Sequence, residues 1–497
     1  MSNKKVIIIG AGIAGLSAGS YLQMNGYETE IFEMHTIPGG LCTTWKKKGY
    51  AFDGCIHSIA GLNPNFKMYH YWNELLDLSQ MRFHFYDELV CYTDERGNVV
   101  HFYTDPDKLE AELLRIAPED AGFIRRFIKS VKHLARHDMQ LSKPIELWTP
   151  LDYFLSQFRT APYLKHLIQW SKSWAETTKN CQSPLLKRVY AQDFFSRFPA
   201  YFLLLSIAHM HQKNAGYPIG GSLPLALALA EKYKALGGKI HYDAKVERIL
   251  VENDRAVGIQ LADGTSHHAD RVISAADGHH TIFKLLGGKY VNKKVKKLYS
   301  EHPFWPSMVL VSLGVARTFE NESPELDIDV IEPFVVDGRS HLTSLPVTIY
   351  NFDPTLAGAG KTSLRVILKT GNYQYWHNLR QHDPDAYQQE KQRVADALIE
   401  ILERRLGNIK NYLEVVDVST PATFIRYTNN WQGSTQGWEW LPGGIPETID
   451  KTVPGLDNFH MIGQWVQPGG GVPTSFMSGR DVTRIICKQD GRKFQTI

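Results

Sequence analysis

The sequence predicts an α/β protein, α+β overall, with a lobe built on a parallel sheet and an inserted lobe of mixed sheet and helices. Three observations predict it. A β-branched run at 6–9 enters a glycine turn at 10–15, then a helix over 13–25 and a second strand over 29–33. Residues 239–274 alternate as short strands, with a hairpin turn at Asp263-Gly264. The tail, 458–488, reads as strand, glycine-rich loop and helix.

Each element has its reason. Val6-Ile7-Ile8-Ile9 is apolar at every position, as in a parallel strand buried on both faces. The first helix stops at Gly26. Residues 76–215 hold aromatic and long apolar side chains at helical spacing, with no glycine-rich loop. Gly216-Tyr217-Pro218-Ile219-Gly220-Gly221-Ser222 then leads into an Ala/Leu-rich helix over 223–236. Strand-like runs follow at 308–315, 347–351 and 363–369. Residues 385–406 predict an amphipathic helix, with Val394, Leu398, Ile401 and Leu402 on one face. The expected division is discontinuous. One domain gathers 1–75, 215–290 and 455–497; the other holds 76–214 and 291–454.

Composition narrows the function. The 497 residues carry 55 Lys and Arg against 52 Asp and Glu, with no long basic run, so no nucleic-acid partner is expected. The five cysteines are widely spaced and form no CxxC, which argues against disulfide, zinc and dithiol chemistry and for a cytoplasmic setting. No HExxH or comparable metal spacing occurs. The N-terminus does not read as a signal peptide, and no run reaches the length of a membrane span. The nearest, 198–210, reads as a buried helix, with an interfacial patch and peripheral membrane contact as the alternative.

The chemistry starts at Gly10-Ala11-Gly12-Ile13-Ala14-Gly15, a GxGxxG that follows a strand and opens a helix. Gly10 permits the turn, Gly12 a close approach to pyrophosphate, and Gly15 the packing of helix on strand. The helix N-terminus, with Ile13 and Ala14 in its first turn, offers free N–H groups to phosphate. Glu33 ends the next strand, where a carboxylate accepts from both ribose hydroxyls and repels a 2′-phosphate. Pro38-Gly39-Gly40-Leu41 follows a few residues on, and adjacent glycines there let the backbone pass along a cofactor, which favours FAD over NAD. At the far end, Gly463 opens a loop that runs through Gly471 and Val472 into a helix. Its amides, Val472 first, would face the flavin N1–C2=O2 edge.

These segments resemble the flavin amine-oxidase/phytoene-desaturase superfamily, in its branch of carotenoid desaturases, carotenoid isomerases and retinol saturases. The likeness lies in 6–33, 38–57, 216–230 and 462–481, and is weak through 76–200 and 300–450. It implies a Rossmann-type FAD-binding lobe and non-covalent FAD. Pyrophosphate would lie on Gly10, Gly12 and Gly15, ribose on Glu33, and flavin against Gly40 and the 463–472 loop. A middle strand gives main-chain bonds to adenine in such folds, and Val246 matches that place. Asp53-Gly54-Cys55-Ile56-His57 resembles the saturase-like pattern, in which a His follows the glycine.

The expected activity is FAD-dependent oxidoreduction at C=C or CH–CH bonds: desaturation, saturation or isomerisation of a hydrophobic, isoprenoid or polyene substrate. His57 is the candidate catalytic residue, a proton donor or acceptor beside the flavin; its other reading is a packing histidine. His209 and His211 are candidates for a substrate channel, and Phe424, Tyr427, Trp431, Trp438 and Trp440 for an apolar pocket wall. No cysteine is expected where a covalent flavin link would form. The electron acceptor or donor stays open among oxygen, a quinone and a separate reductase. Two alternatives stand beside this reading: a flavin amine oxidase, and a non-catalytic prenyl-lipid-binding protein of the GDP-dissociation-inhibitor type.

Overall fold

Apolar side chains on every residue of Val6–Ile9 demand cover on both faces, and the chain supplies it. The structure is a computed structural model that describes residues 4–139, 142–192, 198–444, 449–466 and 469–496. Lys5–Ile9 lies at the centre of a five-stranded sheet. The order is Lys239–His241, Glu28–Phe32, Lys5–Ile9, Arg271–Ser274, Phe459–Met461, and every pairing is parallel. Ile8 sits between Ile31 and Ile273. Strands from the N-terminus, the middle and the tail therefore share one sheet. The second strand ends at Phe32, so Glu33 is the first residue beyond it.

The first helix, Ile13–Met24, packs against the sheet and against the C-terminal helix Gly471–Gln489. The helix can sit this close because position 15 has no side chain. A Cβ on Gly15 would lie 2.0 Å from the Gly10 carbonyl oxygen. The 239–274 region forms Val246–Glu252, Arg255–Leu261 and Ser266–His268 as an antiparallel sheet of its own. Asp263 closes the expected turn by accepting from the Thr265 N–H at 2.9 Å.

A seven-stranded sheet stands apart, in the order Leu413–Ser419, Ser307–Val315, Thr362–Thr370, Ser340–Ile349, Glu325–Asp337, Glu88–Thr93, Val99–Tyr103. Its neighbours are antiparallel except Glu325–Asp337 with Glu88–Thr93. Helix Pro384–Leu406 covers it with Val394, Leu398 and Leu402, all fully buried.

Two expectations are corrected. Residues 76–215 are not all helical, since Glu88–Thr93 and Val99–Tyr103 enter the mixed sheet. Strand Glu325–Asp337 went unread because Asp327, Asp329 and Pro333 break the apolar run; both aspartates are buried. The 198–210 run follows its expected reading as a buried helix. It forms helix Tyr201–His211 with Leu203, Leu204, Ile207 and Ala208 in the core.

Candidate active site

The glycine turn sets the first wall. The Gly10 N–H donates to the Phe32 carbonyl at 2.8 Å, which bends the chain back over the sheet edge. The Gly39 N–H donates to the Ala11 carbonyl at 2.9 Å, and Gly12 pairs with Gly39 as a short parallel bridge. Gly39 has φ +115°, and a Cβ there would meet the Cys42 carbonyl oxygen at 2.4 Å. The two glycine elements, about 30 residues apart in sequence, are thus joined through main chain alone.

Glu33 is buried at the end of this wall. Its carboxylate accepts from the Ala11 N–H at 2.7 Å and the His35 N–H at 2.9 Å. Burial raises its pKa, opposed by those two amides and by the one at Met34. Each oxygen keeps acceptor capacity for a ligand hydroxyl.

One cavity of about 660 Å³ runs along these elements. Gly10, Gly12, Ile13, Ala14, Glu33 and Val246 line its nucleotide end. Gly39, Gly40 and Leu41 line the middle together with Gly463, Gly471 and Val472. Gly15 does not line it; that residue serves helix packing. Gln467 and Pro468, in the middle of the expected loop, lie outside the described residues. The Gly463 N–H donates to Ser478 Oγ at 3.0 Å, which ties the loop to the C-terminal helix.

The cavity continues past the glycines into an apolar end, where Phe198, Phe202, Leu205, Met210, Trp305 and Met308 form the wall. Comparison with known proteins now bears on this shape. Residues 13–487 match flavin containing amine oxidoreductases. The chain belongs to this family. It is a flavin-dependent oxidoreductase. A 4,4'-diapophytoene desaturase (4,4'-diapolycopene-forming) from Methylomonas sp. is 24% identical over 100% of this chain and 98% of its own. A chloroplastic prolycopene isomerase from Daucus carota is 25% identical over 95% of this chain and 78% of its own. These relatives belong to the carotenoid branch that the sequence resembles. Among solved structures, putrescine oxidase bound to putrescine aligns with TM-score 0.59 and 15% identity, covering 98% of this chain and 99% of its own. An oxidoreductase from Methanosarcina mazei aligns with TM-score 0.57 and 17% identity, covering 97% of this chain and 100% of its own. At these identities the two structures show the fold alone.

A flavin dinucleotide fits the residues present. The nucleotide end offers a helix N-terminus, a side-chain-free bridge at Gly12–Gly39 and a buried carboxylate with spare acceptor capacity. The middle offers backbone at Gly40, Gly463 and Gly471.

The remaining candidates divide. His57 lines the cavity, and its Nδ1 lies 3.0 Å from a nitrogen of the buried Arg365. Burial first, then Arg365 and Lys369, hold its pKa well below the usual histidine range. His209 also lines the cavity, with Nδ1 2.7 Å from the Asn214 amide nitrogen. His211 is exposed and does not. Of the five aromatic candidates only Tyr427 reaches the wall. Phe424 packs on Met308 and Leu310, Trp431 and Trp438 on Trp465, and Trp440 on Phe202. The spacing of aromatics along a chain does not reveal which ring faces a void.

Sequence reasoning missed Trp305, Lys369 and Arg365. Lys369 lines the cavity with its ammonium 5.0 Å from the centre of the Trp305 ring. No motif marks any of the three: Trp305 and Lys369 reach the wall from just before one strand of the mixed sheet and from the end of another, and Arg365 lies behind it. Two cysteines also stand there, Cys42 and Cys55. The contact with Cys55, together with burial, raises the Cys42 thiol well above its usual value, and its Sγ donates to the Ser222 carbonyl. Glu88, Cys91 and His101 form the one close His/Cys/acid group among the described residues. They lie off the cavity, and burial pushes the Cys91 thiol up to about 12, so it is a poor metal ligand.

Proposed function

We propose that this enzyme binds FAD non-covalently and desaturates, saturates or isomerises a C=C or CH–CH system in a hydrophobic isoprenoid or polyene substrate. The carrying observation is the single cavity, which leads from Glu33 and the glycine bridge to an apolar end walled by Phe202, Met210 and Trp305. Relatives named as a diapophytoene desaturase and a prolycopene isomerase support it.

In this reading residues 1–75, 215–290 and 455–497 hold the cofactor, and 76–214 and 291–454 the substrate. Gly10, Gly12, Ile13 and Ala14 receive the pyrophosphate, with Gly39 facing them across the bridge. Glu33 accepts from the ribose, and Val246 meets the adenine through main chain. Gly40, Leu41, Gly463, Gly471 and Val472 enclose the flavin, and Gly15 acts through packing. When bound, the flavin supplies two-electron hydride chemistry. His57 stands on the same wall as the candidate catalytic residue. The raised Cys42 pKa keeps that residue a thiol, which supports non-covalent binding.

Charge on the wall disfavours an amine substrate. The acids on the cavity wall, among the described residues, are Glu33 and Asp277, and Glu33 belongs to the nucleotide end. The apolar end carries a cation, Lys369, which would repel an ammonium group.

A lipophilic substrate also needs a route, and we assign peripheral lipid contact to helix Pro150–Gln169. Only Tyr163 of its twenty residues is buried. Phe154 and Phe158 are 56% and 65% exposed, and Leu151 and Ile168 are equally open. Exposed basic residues flank them: Arg159 and Lys165 on the helix, Arg125 and Lys129 on the neighbouring Ala121–Leu134, and Arg136 just beyond its end. The helix does not cross a membrane; among the described residues none is long and apolar enough. Its C-terminal end adjoins the cavity helix, since the Tyr201 N–H donates to the Trp170 carbonyl at 2.9 Å.

The test is spectroscopic. The purified protein should be yellow and release FAD on acid denaturation, and the anaerobically photoreduced flavin should be reoxidised by some lipophilic polyenes. Colourless protein that FAD cannot reconstitute would sink the reading. Sedimentation with anionic phosphatidylserine vesicles, weakened in a Phe154→Ser/Phe158→Ser double variant, tests the lipid contact.

A further inference from the structure

We propose that Arg365 is a positioning residue that holds His57 as one neutral tautomer, with the ring proton on Nε2. The proposal deepens the reading of His57 as the catalytic residue at the flavin wall, and rests on it.

The two residues come from distant parts of the chain. Arg365 lies in strand Thr362–Thr370 of the mixed sheet, and His57 follows strand Tyr50–Asp53 by four residues. One guanidinium nitrogen, Nη2, sits 3.0 Å from His57 Nδ1. A guanidinium has N–H donors and no acceptor. His57 Nδ1 must therefore accept, which leaves the proton of the neutral ring on Nε2, on the ring edge away from Arg365.

Arg365 also grips the segment that carries the ring. Its Nη1 donates to the Asp53 carbonyl at 3.3 Å and reaches the Ile56 carbonyl at 3.5 Å. The same segment is held from its other side. Asp53 accepts from Tyr217 Oη at 2.8 Å, Ser222 Oγ at 2.6 Å and the Cys55 N–H at 2.9 Å. The Ile56 N–H donates to Ser222 Oγ at 2.9 Å, and Tyr86 Oη donates to the His57 carbonyl at 3.3 Å. The ring thus projects from a loop fixed at nearly every residue.

A buried arginine is costly to keep. Arg365 is 2% exposed, and a chain of similar length without charge would fill its volume at lower desolvation cost. Asp53 and Glu325 balance the charge, and the guanidinium lies 5.5 Å from the Tyr350 ring centre. What the cation adds is control of the ring. Arg365 and Lys369 face His57 from one strand, and Asp53 is the acid of its own segment. Tyr86, Tyr217, Tyr350 and Glu325 complete the titratable groups around the guanidinium. Burial and the two cations oppose protonation of the ring. His57 is therefore presented as a neutral hydrogen-bond donor, neither a base nor a cationic acid.

The experiment follows the ring nitrogens by NMR in holoprotein labelled with 15N-histidine, with His57→Gln used to assign the signal. The wild-type ring should carry its proton on Nε2 and titrate well below the usual histidine range. Arg365→Gln can still donate an N–H but has no charge. It should keep the tautomer and let the ring titrate closer to about 6.5. Arg365→Met should give both tautomers as well as titration. A wild-type ring protonated on Nδ1, or an Arg365→Met ring that keeps pure Nε2–H and does not titrate, overturns the proposal. Should Arg365→Met not fold, Arg365→Gln decides, and a ring that still resists titration overturns it. The readout is independent of turnover. His57→Gln protein with unimpaired turnover would remove the catalytic reading of His57 and leave the tautomer result standing.

Discussion

The two ends of the cavity are made of different material. The nucleotide end is main chain: the Gly10 turn, the Gly12–Gly39 bridge and the amides that hold Glu33. The far end is side chain: Phe202 and Met210 come from one helix, Trp305 from the segment before strand Ser307–Val315, and Lys369 from strand Thr362–Thr370. The backbone end tolerates little substitution at Gly15 and Gly39, where a Cβ would meet a carbonyl oxygen at 2.0 Å and 2.4 Å. A side-chain site can change its shape residue by residue and leave the scaffold standing. One fold can therefore keep its cofactor while its relatives differ in what they act on.

The sharpest way to break this comparison is Gly15→Ala. The new Cβ would sit 2.0 Å from the Gly10 oxygen, so the helix must move off the turn. The expected cost is about 3 kcal/mol of stability with loss of bound flavin, read by thermal melting and by absorbance after gel filtration. Wild-type flavin content in that variant would mean the turn is not the cofactor cradle.

Glu33→Ala comes next. It removes the acceptor for two N–H groups and for the ribose, and should weaken FAD binding by about 2 kcal/mol, about thirtyfold in Kd. Isothermal titration of apoprotein with FAD checks this.

The two sheets should also answer pH with opposite sign. His460, in the parallel sheet, is held by burial at about 3, below its unfolded value of about 6.5. Its contribution is complete above about 6.5 and is lost as pH falls toward 3, with about 2 kcal/mol gone by pH 5. Glu325, in the mixed sheet, is pushed up to about 7 by burial. Its contribution is complete below about 4.5 and is lost as pH rises through 7. Urea unfolding of His460→Gln and Glu325→Gln across this range should flatten the acid and the neutral limb respectively.

The smallest effect belongs to the side-chain end. Trp305→Ala should leave flavin content unchanged and lower kcat/KM about tenfold for the polyene that best reoxidises the reduced enzyme. Equal loss of flavin would erase the distinction between the two ends.

The difference in material also explains what was legible. Gly10, Gly12, Glu33, Gly39 and Gly463 could be read because backbone sites demand particular residues in local order, strand then turn then helix. The strands Glu88–Thr93 and Glu325–Asp337 could not, because their buried acids and short runs match no periodic pattern. His57 was legible as a candidate from its motif, but its partner was not. Arg365 lies 308 residues away in a strand whose sequence, Ser-Leu-Arg-Val-Ile-Leu, carries no mark of function.

The sequence by itself determined the cofactor wall, since glycines at fixed spacing after a strand leave the backbone few other courses. Tertiary structure alone decided the rest of the cavity. It set which aromatic faces the void, brought Lys369 over Trp305, and put a cation against His57. Those contacts depend on the order of strands in the mixed sheet, and a pairing between distant strands leaves no local trace in either of them.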